Sequence, residues 1–255
     1  MKIYFLGTGT SQGIPVIGND SPVCLSSDFK DKRLRTSIFV EWDTSVFQID
    51  CGPDFRQQML VSKCPKIDAL LFTHEHADHT AGFDDIRPFC FMQKAPIPIY
   101  GQERVINELK KRFEYIFETE NRYPGAPSVD INVIDENKSF QINGKEIIPI
   151  TVLHGDLPIL GYRFQNFAYL TDVKYITEEN LFKLQDLDVL VINALRINEH
   201  PTHNNLEEAL NFIKIIKPKK AYLTHIGFQL GFHEEVQKSL PKDVYLAYDN
   251  LQLTI

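Results

Sequence analysis

The sequence predicts an α/β fold of the α+β kind, with two β-sheets and helices packed outside them. Three observations lead there. Short runs with strand character recur along the chain. Hairpin signals require antiparallel pairs, which a doubly wound parallel sheet would lack. Helical periodicity is restricted to a few amphipathic stretches set between strands.

In chain order, strands are predicted at 2–7 (KIYFLG), 36–42, 45–50, 69–73, 97–101 and 130–135, and then at 145–153, 160–165, 167–171, 188–193, 220–224 and 244–249. Each is short, rich in β-branched and aromatic residues, and bounded by turn formers. Hairpin turns are expected at Asn143-Gly144 and around Asn166. Helices are predicted over 54–63, 102–117, 177–185, 205–217 and 233–240. The second of these carries Val105, Ile106, Leu109, Phe113 and Ile116 at helical spacing, and the fourth stops before Pro218. No fixed-period repeat or polar linker divides the 255 residues, so one domain over 1–255 is expected.

The formal charge is −7, which speaks against gripping a long nucleic acid, because that contact needs a basic surface to displace counterions. The four cysteines, Cys24, Cys51, Cys64 and Cys90, form neither a CxxC pair nor a dense disulfide framework. MKIYFLGTGTSQG lacks the length and cleavage region of a signal peptide, and no apolar run reaches the ~20 residues a membrane span needs. A reduced, cytoplasmic protein without membrane contact is expected; a homodimer is compatible with this.

The strongest chemical signal is THEHADH at 73–79, directly after the apolar strand ALLF. His74, His76, Asp78 and His79 leave the sheet within six residues, and imidazole with carboxylate suits zinc, manganese or iron. A polar surface turn is the plain alternative, but this density of histidine after a buried strand argues for a metal. Three further strands end in a single candidate ligand: His154 after 147–153, Asp172 after 167–171 and His225 after 220–224. Each alone reads as a loop or capping residue; the repetition of apolar run then ligand makes the metal reading.

HEHADH followed by His154, Asp172 and His225 resembles the metallo-β-lactamase superfamily. GTGTSQGIP (7–15), IDCGPDFRQQ (49–58), HADHTAGFDDIRPF (76–89), LTDV (170–173) and LTHI (223–226) resemble its branch of PhnP-type phosphodiesterases, with broader likeness to tRNA 3′-processing endonucleases and PqqB-like proteins. The resemblance covers nearly the whole chain. It implies a four-layer αββα sandwich with two divalent metals (Zn, Mn or Fe) at one edge of the sheets. His74, His76 and His154 would hold one ion, Asp78, His79 and His225 the other, and Asp172 would bridge them. Cations about 3.5–4 Å apart need such a shared carboxylate.

The implied chemistry is attack on phosphorus by hydroxide held on the metals, whose bound water has a pKa near ~7. Asp78 and His203 are the expected catalytic residues; His203, in EHPTHNNLEEAL, would protonate the leaving group. Asp50 is expected to orient a ligand by hydrogen bonding, with a plain turn as the alternative. Arg87 and His200 are candidate substrate contacts, although Arg87 could equally pair with Asp84 or Asp85. The glycine loop 7–13 could approach the substrate, KDKRLR (30–35) reads as a solvated loop, and 102–127 could form a lid or a plain excursion. The branch often carries a structural zinc held by a CxCxxC run and a later histidine. Here 19–24 reads Asn-Asp-Ser-Pro-Val-Cys and Phe228 stands at the fourth position, so no structural zinc is expected; Cys24 and His233 alone make a weak pair. The substrate expected is a small phosphodiester, cyclic esters included. A tRNA 3′-processing endonuclease and a non-enzymatic cofactor-biosynthesis binding protein are the alternatives.

Overall fold

The computed structural model describes residues 1–120 and 122–255. Asn121, within the stretch 120–127 considered as part of a lid, lies outside the described residues. Among them, two seven-stranded sheets form. The first holds β1 (Lys2–Gly7), β2 (Ser37–Trp42), β3 (Ser45–Ile49), β4 (Ala69–Leu71), β5 (Ile97–Gly101) and β6 (Val129–Val133). The second holds β7 (Phe140–Ile142), β8 (Lys145–His154), β9 (Leu157–Phe164), β10 (Phe167–Tyr169), β11 (Val189–Asn193), β12 (Lys220–Thr224) and β13 (Val244–Leu246). The last strand, β14 (Gln252–Thr254), returns to the first sheet beside β1.

Period-two alternation turns one face of each sheet toward the other. Phe5, Ile38, Phe47, Ile49 and Leu71 of the first sheet belong to one core with Ile147, Tyr162, Phe164, Tyr169 and Val191 of the second. Phe39, Leu70, Phe72 and Ile99 face outward and pack with helical Phe55, Phe89, Ile106 and Leu109. On the opposite side, Val152, Ile159, Leu190 and Leu223 pack with Leu184, Ala209, Ile216 and Val236. The result is the four-layer αββα sandwich. β3 to β6 run parallel, as do β10 to β13. Parallel strands put several carboxyl ends on one edge, where loops gather.

The expected hairpins are present: Asn143 and Gly144 have φ of 51° and 71°, and Phe167 pairs with Phe164 across the second turn. The helix expected over 102–117 is interrupted. Glu103–Arg112 ends at Phe113 (φ −126°, ψ 43°), and a short helix Glu114–Phe117 follows. The break lets Phe113 and Phe117 both reach Phe83, with centroids 5.4 and 6.0 Å away. β7 and β14 escape sequence reading because each has three residues at a sheet edge. No helix among the described residues is long and apolar enough to cross a membrane.

Candidate metal centre

The candidate ligands leave the sheets at one edge. Asp50 follows β3, His74 follows β4 by three residues, His154 ends β8, Asp172 follows β10, and His225 follows β12. Asp50, Asp172 and His225 all have left-handed backbone, with φ of 59°, 57° and 52°. That conformation is costly for residues other than glycine and persists where surrounding structure enforces it. The turn of residues 76–79 is seated on Gly52, where an added Cβ would meet the Asp78 carbonyl oxygen at 2.0 Å. Cys51 N–H donates to the His79 carbonyl (2.8 Å), completing that seat.

The structure brings together all seven residues expected to bind metal, in overlapping groups: His74, His76 and His154; His74, His79 and Asp172; Asp78, His79 and His225. Within each group the ligand atoms lie within 4.8 Å of one another. His203 joins as well, grouped with His154 and Asp172, its Nε2 2.9 Å from Asp172 Oδ1. Asp172 is central: Oδ1 also lies 3.1 Å from His225 Nε2, and Oδ2 3.2 Å from His79 Nε2.

Hydrogen bonds fix which ring nitrogens are free. His154 Nδ1 lies 2.8 Å from the Thr202 carbonyl, an acceptor only, so it carries the proton and Nε2 keeps its lone pair. His79 Nδ1 donates to Asp50 Oδ2 at 2.7 Å. Thr73 Oγ1 donates to the same oxygen at 2.8 Å and so receives from His74 Nδ1 at 3.0 Å. Asp50 thus orients His79 directly and His74 through Thr73, while Thr73 N–H holds its other oxygen at 2.8 Å. This relay through Thr73 has a sequence signal, a hydroxyl residue preceding the first ligand, that acquires meaning only once Asp50 is beside it.

The electrostatics call for positive charge. Burial opposes protonation of His79, yet Asp78, Asp172 and Asp50 around it hold its pKa well above the ordinary value. Burial likewise opposes ionisation of Asp172, but the imidazoles of His225 and His79 and the bond with His203 hold its carboxyl well below the usual range. Burial pushes His74 well down, helped by neighbouring His79. The buried Nε2 of His79 and both ring nitrogens of His225 have no hydrogen-bond partner. Buried polar atoms are rarely left so. A cation at this point would satisfy both the lone pairs and the carboxylates, so the residues present fit divalent metal.

Other candidates are placed differently. His200 stacks edge-on near His203, with ring centroids 4.9 Å apart. Arg87 is not brought to the cluster: its guanidinium grips Asp84 at 2.6 and 2.7 Å, and Tyr115 donates to the same carboxylate. The glycine loop is packed against the chain, Thr10 N–H donating to the Ile226 carbonyl and Gly9 N–H to that of Leu34. The run 30–35 is not simply solvated. Arg33 is only 3% exposed and donates to Thr8 Oγ1, the Ala247 carbonyl and His233 Nδ1. With a guanidinium at 3.1 Å, His233 Nδ1 is unavailable to a structural zinc.

The family model described as "Beta-lactamase superfamily domain" matches residues 46–226. Over its full length the chain is 37% identical to an octanoyltransferase of Porphyromonas gingivalis, covering 52% of that protein, and over 65% of its length 27% identical to a ribonuclease Z of Methanococcus maripaludis, covering 49% of it. The chain thus spans about half the length of these curated relatives. Among solved structures, a new diphosphatase from the PhnP family superposes with a TM-score of 0.93 at 40% identity, covering 100% of this chain and 97% of the other. The short form of human tRNase Z shares the fold, with a TM-score of 0.71 at 20% identity, covering 100% and 99% of the two chains. Sheet order, ligand placement and these likenesses agree: the chain belongs to the metallo-β-lactamase superfamily, in its PhnP family.

Proposed function

We propose that this protein is a dinuclear metal-dependent phosphodiesterase acting, as one unit over residues 1–255, on a small phosphodiester, cyclic esters included. The observation that carries the reading is the convergence of His74, His76, His154, Asp78, His79 and His225 around Asp172, with the free nitrogens of His154, His79 and His74 set by their hydrogen bonds. His74, His76 and His154 would hold one ion, Asp78, His79 and His225 the other, with Asp172 shared. When bound, such ions supply Lewis acidity and bring a water's pKa toward ~7. Zinc, manganese and iron all suit these donors.

The protein's own groups do the rest. Asp50 and the Thr202 carbonyl keep the imidazoles aimed, so no reorganisation is needed when charge builds at the phosphate. Burial pushes His203 down to about 4. An arriving phosphate raises that value by its negative charge, and the imidazole can then pass a proton to the leaving oxygen. His200 stands behind His203, 3.2 Å between their Nδ1 atoms, and would contact the leaving group. A cytoplasmic location belongs to this reading, supported by four free and buried cysteines.

The solved relative named a diphosphatase makes phosphoanhydrides a second substrate group to assay. The test is turnover of bis-p-nitrophenyl phosphate, cyclic nucleotides and dinucleoside diphosphates by enzyme reconstituted with manganese or zinc. Metal-dependent hydrolysis is expected; no turnover with both ions bound overturns the reading. Precursor-tRNA cleavage is the second reading, favoured by the ribonuclease Z relatives and opposed by the net charge of −7. Octanoyl transfer is not carried over from a relative of which this chain matches only half. The buried Cys51 and Cys64 have thiols raised by burial, so neither is an activated nucleophile for acyl transfer.

A further inference from the structure

We infer that Arg104 is a positioning residue for the His74–His76–His154 half of the centre. It opens the helix Glu103–Arg112, which Val105, Ile106 and Leu109 anchor to the first sheet. Its guanidinium reaches two elements at once. One nitrogen pairs with Glu75 Oε1; another donates to the Pro158 carbonyl at 2.7 Å. Glu75 stands between His74 and His76. Pro158 faces Leu153 across the β8–β9 ladder, one register position from His154. Arg104 therefore joins the loop that supplies two ligands to the hairpin that supplies the third.

An ordinary exposed ion pair would contribute little. Here the pair is half-shielded, with Arg104 and Glu75 side chains 34% and 17% exposed, and Glu75 Oε2 is buried without a hydrogen-bond partner. Removing the guanidinium leaves a shielded carboxylate uncompensated between two ligands, and the loop must shift to hydrate it. Arg112, on the same helix, donates to the Glu75 carbonyl and to Thr80 Oγ1 (3.1 Å), but no bond links it to the hairpin. The Asp78–His79–His225 half is held by Asp50 and β12, which Arg104 does not touch. Its loss should be felt at one ion.

This inference rests on the two-metal reading, and the test separates them. Metal-loaded wild type, Arg104→Met, Arg104→Lys, Glu75→Gln and, as a control, exposed Lys110→Gln are titrated with a chromogenic chelator. Wild type and Lys110→Gln should release two equivalents together. Arg104→Met should release one equivalent at about 10- to 100-fold lower chelator activity, the usual reach of a group that orients a ligand. The second equivalent should be unchanged, and histidine NMR signals of His74, His76 and His154, not His225, should report the loss. Arg104→Lys should restore part of the affinity, and Glu75→Gln should weaken the same ion. Wild-type retention by Arg104→Met, or parallel loss of both ions, overturns the inference alone. A wild type that never holds two ions overturns the two-metal reading and this inference with it.

Discussion

Replacing Asp50 with asparagine tests the orienting hub of the centre. Asp50 accepts three hydrogen bonds, from Thr73 N–H, Thr73 Oγ1 and His79 Nδ1, at 2.8, 2.8 and 2.7 Å. An amide offers one oxygen. With that oxygen on Thr73 N–H, the NH₂ group faces two donors. His79 must then move its proton to Nε2, the nitrogen aimed at Asp172. Thr73 must rotate to accept from the amide, which turns its own proton toward His74 Nδ1 and inverts that ring's tautomer too. Each lost charge-assisted bond is worth about 1.5–3 kcal/mol, equivalent to roughly 10- to 100-fold in metal affinity. Because His74 and His79 would serve different halves of the proposed centre, Asp50→Asn should weaken both ions, unlike Arg104→Met. The metal-free protein should lose stability as well: Asp50 pairs with a buried His79 whose pKa it helps hold well above the ordinary value, and removing one partner of a buried pair leaves the other uncompensated. The assay is competitive chelation together with the thermal midpoint of the metal-free form. Wild-type affinity for both ions, or a metal-free midpoint that does not fall, would refute the reasoning.

His203→Ala should lower kcat by about 10²- to 10⁴-fold while both ions stay bound, measured by kinetics alongside metal content; unchanged kcat would remove His203 from proton transfer. Burial, and then Arg33 beside it, push His233 down to about 4, with Lys30, Asp28 and Asp31 also facing it. The folded value lies below the unfolded one, so this contribution is complete above pH 6.5 and declines as pH falls toward 4, by up to about 3 kcal/mol. The thermal midpoint should show that decline, and His233→Gln should flatten it. Asn205 accepts from Glu208 N–H at 2.8 Å while Glu208 Oε2 accepts from Asn205 N–H at 2.9 Å, a reciprocal cap on the helix Leu206–Ile216. Asn205→Ala should therefore cost about 1 kcal/mol in urea unfolding.

Strand existence and the candidate ligands that converge at one edge were legible in the amino-acid order because both follow local rules. A buried strand needs an apolar run, and a ligand must leave the sheet at its tip, so THEHADH, LHG, LTD and LTHIG announce themselves by position. The helix interruption at Phe113 was not legible, because packing on Phe83, thirty residues earlier, decides it. Arg33 looked like one more surface cation in KDKRLR; only the arrival of Thr8, Ala247 and His233 from distant segments makes its burial affordable. Arg87 shows the reverse, a cation suited to phosphate whose charge is taken by Asp84 three residues away.

By itself, then, the order of residues determined the layered fold and the types of donor available to a metal, since hydrophobic period and ligand chemistry are properties of short segments. Tertiary structure alone decided which ring nitrogens of His154, His79 and His74 are taken by hydrogen bonds, that Asp172 lies among His79, His203 and His225, and that Arg104 joins Glu75 to Pro158. Those depend on contacts, at 2.8 and 3.1 Å, between residues as far apart in the chain as His154 and Thr202, or Arg33 and His233. Such distances are set when the two sheets close on their common core, and nothing in a local pattern encodes them.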